Sequence, residues 1–554
     1  ILEMTVEANV AGDVSDTHRP LPDFPPTIWG CHFASFSFTE LEFESYSRQV
    51  ELLKEEIHGM LLSATTNPIE NIEFINLLCR LGVSYHFEAE IDEQLSHIFH
   101  TNEYQDYDDL DTVALFFRIL RQHGYKVPCN VFQKFKDDTG GFKRCIANDG
   151  KGLLSLYEAT YLSVQGEDIM EDALAFTRER LEVLAASQSS PCLAKQIKMA
   201  LNRRPFHYGV PRLEARHYIS LYEEDESSNE VLVKFAKLDF NRVQILHQQE
   251  LCLLSRWWKD INLVKKLPYA RDRIVEIYFW ANGIHFEPQY AVSRMLVAKH
   301  MMMVSVMDDT YDAYGTFEEL QCLTEAIERC DKSDIDNLPA DYRRIVYKTW
   351  SNLFKETEEE MSKHGRSFSA AYAKEAFIEL VKAYHVEAQW SKDRYVPSFE
   401  EHLQNGTISS SYGVILATSF IASEVARIKE YQWLRSTPKI VRAGMAIGRL
   451  MNDIVGHEEE QKRGDCASSV ECYIKEHGVS KKEAVEKIQK ICEKSWKDIN
   501  EEFMKPTVIP WLLLRHVVNL TRVTDAVYWR DDAYTKPLVL KEYIHLLFIQ
   551  QIPL

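Results

Sequence analysis

The segment Met301-Met302-Met303-Val304-Ser305-Val306-Met307-Asp308-Asp309-Thr310-Tyr311-Asp312 decides how the rest of the chain is read. An apolar helix running into three carboxylates is unusual, because adjacent acids repel one another and resist burial. On a helix, positions four apart lie within about 40° of each other, so Asp308 and Asp312 share a face with Asp309 beside them. Carboxylates converging without a basic neighbour suit a hard divalent cation with oxygen ligands, most simply Mg²⁺. Taken alone, the segment fits a solvated helix end equally well.

A second acidic element, Arg449-Leu450-Met451-Asn452-Asp453-Ile454-Val455-Gly456-His457-Glu458-Glu459-Glu460, places Asn452, Gly456 and Glu460 at i, i+4 and i+8. An amide oxygen, a gap and a carboxylate on one face make a second metal wall, with water filling the gap at Gly456. The same spacing also describes a charged surface helix, with glutamates near Lys462 and Arg463. About 35 residues before the first motif, Arg271-Asp272-Arg273 supplies a basic pair. Arginine binds phosphate as a fork of donors, and metal-bridged phosphates need such partners as charge builds on a leaving group. By itself, Arg-x-Arg is more often surface charge. The chain carries 27 Phe, 10 Trp and 26 Tyr, and ring faces stabilise a cationic substrate by about 0.5–2 kcal/mol each. Trp280, Tyr384, Trp390, Tyr412, Tyr528 and Tyr534 are the aromatic candidates, although each alone reads as ordinary core.

Outward from these motifs the pattern stays helical. With 21 glycines and 18 prolines in 554 residues, turn residues are well below the roughly 12% of an average sequence. Leu52, Leu53, Ile57, Met60 and Leu61 recur at three- and four-residue intervals, as do Leu115, Ile119, Leu120 and Leu153, Leu156, Tyr157. Arg19-Pro20-Leu21-Pro22 and Pro25-Pro26 forbid regular helix up to about Thr27, which predicts an extended strap over residues 1–30. The acidic run Glu223 to Glu230 marks the boundary between a first helical unit, 31–226, and a second, 227–554. The expected fold is therefore all-α in two helical domains.

With 64 basic against 84 acidic residues the formal charge is −20, which excludes a nucleic-acid binder that relies on broad phosphate neutralisation. Eleven cysteines form no CxxC pair and read as reduced core thiols. No run reaches the roughly 18 apolar residues needed to span a bilayer. The first 18 residues lack an apolar signal core and carry Glu3, Glu7, Asp13 and Asp16 with no Lys or Arg before Arg19, so cytosol is the expected location.

Taken in order, the RDR at 271–273, Asp308-Asp309-Thr310-Tyr311-Asp312-Ala313-Tyr314-Gly315-Thr316, the Asn452/Gly456/Glu460 element and the late Tyr528, Asp532 and Tyr534 resemble a plant terpene synthase of the cytosolic sesquiterpene type. The resemblance runs from Pro26-Thr27-Ile28-Trp29-Gly30 to Trp496-Lys497-Asp498-Ile499-Asn500. It implies a helical, α-barrel-like N-terminal domain without its own reaction and a C-terminal class I terpenoid synthase bundle. It further implies three Mg²⁺ ions, with Mn²⁺ as a substitute, between the acidic helices and the diphosphate of a prenyl substrate, normally farnesyl diphosphate. Carried over by position, Asp308 and Asp312, supported by Asp309, would be ligands on one wall, and Asn452 and Glu460 on the other. Arg271, Arg273 and Arg449 would receive the diphosphate. Trp280 would line the pocket, Ser409, Ser410, Ser411 and Tyr412 would shape it at a helix break, and Tyr528, Asp532 and Tyr534 would form a C-terminal cluster near the cation. A monomer is expected on the same ground.

Gly456 departs from the family's usual Ser or Thr, which leaves a water in place of one direct ligand, and Arg19 is followed by Pro20 where an arginine pair would stand. Asp106-Tyr107-Asp108-Asp109 spells the DxDD of class II cyclases, but anchored on Phe117-Arg118-Ile119-Leu120-Arg121 the equivalent stretch is Asp109-Leu110-Asp111-Thr112, which lacks its last acid. Residues 106–111 are thus expected to form a solvated acidic turn. The expected activity is Mg²⁺-assisted conversion of farnesyl diphosphate to a cyclic C15 olefin or alcohol. Geranyl diphosphate as substrate, prenyl chain elongation and a catalytically dead helical binding protein are the alternatives.

Overall fold

Helices account for every long element in the computed structural model, which describes residues 22–187, 190–331 and 334–554; the one bridge between extended segments joins Lys136 and Phe142. Local chemistry sets many helix starts. Asn229 accepts from the amides of Val231 and Leu232 to open the long helix Glu230–Ile261, and Ser480 with Glu483 forms a capping box ahead of Lys481–Glu502. Pro68, Pro191 and Pro211 each sit in a first turn, where their missing N–H costs nothing. Asp109 is another such cap: its carboxylate accepts from Thr112 N at 2.8 Å, while Asp106 and Asp108 are exposed. Asp111 takes a hydrogen bond from Ser155 and an ion pair from Lys151, so the acids at 106–111 serve a helix start and the surface.

In the first part of the chain Leu110–Gln122 packs on Gly150–Thr160, which packs on Asp168–Ser187, which packs on Pro191–Asn202. The acidic run falls between Pro211–Glu223 and Glu230–Ile261. Beyond it, Glu230–Ile261 lies along the early helix Glu40–Ala64. Polar contacts join the two parts. Tyr85 Oη donates to both oxygens of the fully buried Asp239 at 2.8 Å, and Asn500 donates to the carbonyls of Tyr161 and Ser163 at 2.9 Å.

The second part closes on itself. Ile274–Ile284 packs on Ala291–Ala313, which packs on Ser367–Asp393 and Tyr412–Ser419. Ser367–Asp393 in turn meets Phe399–Ser409, and both short helices contact Lys439–Arg463. Trp511–Tyr528 packs between Lys439–Arg463 and Ile274–Ile284 and completes the ring. At that last seam a Cβ on Gly283 would lie 2.8 Å from Val523 Cβ, so only glycine permits the approach. Apolar side chains such as Phe279, Met302, Phe377 and Leu450 fill the space between the helices. The ring leaves a chamber at its centre, and all of its helices contribute to the lining. Residues 22–27, which have no regular structure, cross the open end.

Candidate active site

Along Ala291–Ala313, Met301, Ser305, Asp308 and Asp312 recur at helical spacing and line the chamber. Asp309 lines it too, but is almost fully buried against the preceding loop, where its carboxylate accepts from Arg271 N at 2.7 Å and pairs with Arg271 Nε at 2.7 Å. Arg271 Nη2 also donates to Asp308 at 2.6 Å, and Nη1 to Thr535 Oγ1 at 3.1 Å. Burial and the adjacent Asp308 push the Asp309 carboxyl up to about 6, against the pull of Arg271.

The opposite wall is Lys439–Arg463, where Arg449, Asn452, Asp453 and Glu460 line the chamber. Arg449 is fixed from four sides: Nε donates to Gly406 O (3.2 Å), Nη2 to Ser409 Oγ (3.0 Å), and Nη1 to Asp453 (3.2 Å) and Asn452 (3.4 Å). Asp453 also accepts from Ser469 N at 2.8 Å and lies 2.9 Å from His402 Nε2. Burial alone would raise its carboxyl, yet Arg449 and His402 hold it well below the usual range. For Glu460 the balance is reversed: burial, with Asp453 and Asp465 nearby, outweighs the pull of Arg449 and Arg463 and pushes it up to about 8. A Cβ on Gly456 would stand 2.7 Å from Glu460 Oε1, so the space expected for a bridging water is here approached by the glutamate itself.

Ser411 has φ of +62°, and the left-handed turn separates Phe399–Ser409 from Tyr412–Ser419, so the helix break falls at the expected serines. Ser409, Ser410, Ser411 and Tyr412 all line the chamber; Ser409 Oγ donates to Glu387 at 2.5 Å, and Tyr412 Oη donates to Val517 O at 2.7 Å. Aromatic rings line the side next to Arg271, whose guanidinium carbon lies 4.9 Å from the Tyr534 ring. Trp280 stands edge-on to Tyr528 (5.7 Å between centroids) and Tyr534 (5.9 Å), and Tyr384 lies nearby. Asp532 joins them, its Oδ1 accepting from the amides of Tyr534 (3.1 Å) and Thr535 (3.0 Å).

Two of the residues named from the sequence stand outside the chamber. Arg273 faces away from the chamber, fully buried, with its guanidinium spent on main-chain carbonyls. Trp390 is also absent from the lining; its ring lies 6.4 Å from those of Tyr395 and His402. Arg19 and most of the strap fall outside the described residues.

Eight carboxylates face the chamber against three guanidinium groups. Burial, compounded by Asp308, Asp465, Glu387 and Glu460, drives Asp312 well above the ordinary carboxyl range. Surplus negative charge on oxygen donors fits hard divalent cations, and the imidazole of His402 in the lining is engaged with Asp453. Among the described residues no three His, Cys, Asp or Glu side chains are already gathered as a metal cage, consistent with Arg271 holding Asp308 and Asp309.

Comparison with known proteins agrees with this geometry. Residues 28–201 match the family model "Terpene synthase, N-terminal domain", and 259–498 match "Terpene synthase family, metal binding domain". "Probable terpene synthase 6" of Ricinus communis is 56% identical over 97% of this chain and 99% of its own length. The chain belongs to the plant terpene synthase family. Another relative of this terpene synthase is "Valerianol synthase TPS8" of Camellia sinensis, 46% identical over 98% of both chains. Isoprene synthase from grey poplar, solved with three Mg²⁺ ions and dimethylallyl-S-thiolodiphosphate, superposes with a TM-score of 0.86 at 31% identity, over 93% of this chain and 99% of its own. Limonene synthase with 2-fluorolinalyl diphosphate gives 0.89 at 31% identity, over 96% and 99%. Terpene synthases are lyases that act on prenyl diphosphates, and the all-helical class I fold is shared with these structures. No helix among the described residues is long and apolar enough to cross a membrane.

The terpene synthase chamber also holds residues that the motifs did not point to. Glu387 reaches it from Ser367–Asp393, Asp465 from the turn after Lys439–Arg463, and Phe24 from the strap, its ring 4.9 Å from the Arg271 guanidinium carbon. Only Phe24 had a sequence signal, its place inside the proline-rich opening.

Proposed function

We propose that this terpene synthase converts farnesyl diphosphate to a cyclic C15 terpene and diphosphate. The observation that carries the reading is the make-up of the chamber, in which carboxylates from two facing helices stand beside a cluster of aromatic rings. The C15 substrate is supported by the valerianol synthase relative and by a hedycaryol synthase of Camellia brevistyla, both sesquiterpene synthases alignable over nearly the whole chain. Asp308 and Asp312 on one wall and Asn452 and Glu460 on the other would hold the metal ions, with any ligand at Gly456 supplied by water. When bound, Mg²⁺, or Mn²⁺ in its place, acts as a Lewis acid on the leaving diphosphate. Arg449 and Arg271 bind the departing charge, Arg271 after leaving the aspartates. Trp280, Tyr412, Tyr528 and Tyr534 present ring faces worth about 0.5–2 kcal/mol each to a substrate cation. Ser409, Ser410, Ser411 and Asp532 shape the space around it, and no nucleophilic side chain is required. Catalysis resides in residues 227–554, the 31–226 unit has no reaction of its own, and the enzyme acts as a monomer in the cytosol.

The test is incubation of the purified protein with farnesyl or geranyl diphosphate, with Mg²⁺ or with chelator, followed by gas chromatography of the volatiles. Chelator-sensitive C15 products are expected. The likeness to limonene synthase favours geranyl diphosphate as the second reading, and C10 products alone would decide for it.

A further inference from the structure

The two arginines of Arg271-Asp272-Arg273 point in opposite directions. Arg271 reaches into the chamber toward the aspartates. Arg273 lines no part of it and is fully buried. Its Nε donates to Tyr534 O (3.0 Å), its Nη1 to Asp272 O (2.9 Å), and its Nη2 to Pro25 O (2.6 Å) and Thr535 O (3.1 Å). An arginine that receives diphosphate needs free N–H groups facing it, and the fork of Arg273 is occupied by carbonyls. Apart from the neighbouring Asp272, those carbonyls come from opposite ends of the chain, Pro25 from one and Tyr534 and Thr535 from the other, and both segments border the open end of the chamber. Phe24, next to Pro25, lines it, as do Tyr534 and Thr535. The strap has a second anchor on the same helix start, where Trp29 Nε1 donates to Glu276 at 2.8 Å. Asp532 keeps the other segment in a fixed turn. Arg273 is the joint between them, and its planar fork serves several acceptors that a lysine ammonium could not span together.

We propose that Arg273 is a latch: a positioning residue that holds the 22–28 segment and the 532–536 loop together over the chamber, so that Phe24 excludes water from the reacting cation. The water-exclusion clause rests on the function proposed above; the latch itself does not. Hydrogen exchange of the substrate-free enzyme tests the latch. In Arg273→Gln and Arg273→Lys, the amides of 22–28 and 532–536 should exchange about tenfold faster, the equivalent of one or two lost hydrogen bonds, while those of 291–313 keep the wild-type rate. With farnesyl diphosphate and Mg²⁺, both variants should raise the ratio of acyclic, water-quenched alcohol to cyclic product, and Arg273→Lys, which keeps the charge, should do so as much as Arg273→Gln. Phe24→Ala leaves Arg273 in place and should reproduce the product shift without faster exchange at 532–536; a wild-type product ratio there would overturn the water-exclusion role even if the Arg273 variants fold poorly. Unchanged exchange in both segments, with a raised KM and an unaltered product ratio, would overturn the latch and return Arg273 to the diphosphate. Should the wild-type enzyme turn over no prenyl diphosphate, the functional reading fails, and the exchange comparison still decides the latch.

Discussion

Replacing Glu460 by glutamine should make the metal-free chain more stable, with a gain that grows as pH rises. Burial, with Asp453 and Asp465 nearby, moves this carboxyl from 4.5 up to about 8. An acid raised in this way binds its proton more tightly folded than unfolded, so it favours folding at low pH and becomes a cost as pH climbs from 4.5 toward 8. At about 1.4 kcal/mol per pKa unit, that cost is roughly 3 kcal/mol at pH 7 and about 1 kcal/mol at pH 5. Glutamine keeps the shape without the charge. Urea denaturation in the presence of chelator should therefore show Glu460→Gln ahead of wild type by roughly 3 kcal/mol at pH 7 and about 1 kcal/mol at pH 5. Saturating Mg²⁺ with inorganic diphosphate should shrink or reverse the gap, because the wild-type carboxylate gains a cation that glutamine holds poorly. An equal gap at both pH values, or a variant less stable than wild type at pH 7, would refute the reasoning.

Asp453→Asn should lower the unfolding free energy by about 3–5 kcal/mol, because it leaves Arg449 buried beside a neutral amide; a loss below about 1 kcal/mol would show that Glu387 balances Arg449 unaided. Gly456→Ser forces Glu460 Oε1 away from a Cβ that would lie 2.7 Å from it and adds a hydroxyl to the metal wall. The half-saturating Mg²⁺ concentration for turnover should fall several-fold, about 0.5–1.5 kcal/mol of added affinity, and an unchanged requirement would mean that the hydroxyl does not reach the ion.

The helical class and the two acidic walls were legible because both are local: Asp308 and Asp312, or Asn452 and Glu460, fall on one face by the helical repeat alone. The serine break came from the family resemblance alone; in the structure Ser410 and Ser411 both bond back to nearby carbonyls, a local competition with the helix ladder that fits the break. Arg271 and Arg273 were indistinguishable in sequence, since both are basic residues in one short motif. What separates them is tertiary, because Arg273 caps the start of Ile274–Ile284 among the carbonyls of Pro25, Tyr534 and Thr535, while Arg271 reaches Asp308 and Asp309. Glu387 and Asp465 had no local signal at all. Their place in the chamber depends on how Ser367–Asp393 and the turn after Gly464 pack against distant helices, and no spacing encodes that.

The order of residues along Ala291–Ala313 carries an evolutionary consequence. Met301 and Val304 line the chamber about two helical turns, or roughly 10 Å, before Asp308 and Asp312 on the same helix. The apolar lining makes no hydrogen bond to the carboxylates, so a methyl gained or lost at Met301, Val304 or Ile415 reshapes the chamber without disturbing the acidic pair. Inheritance can thus treat the two ends separately. On the function proposed above, lineages carrying this chamber can change what they make through single apolar replacements while the ability to make anything at all passes on intact.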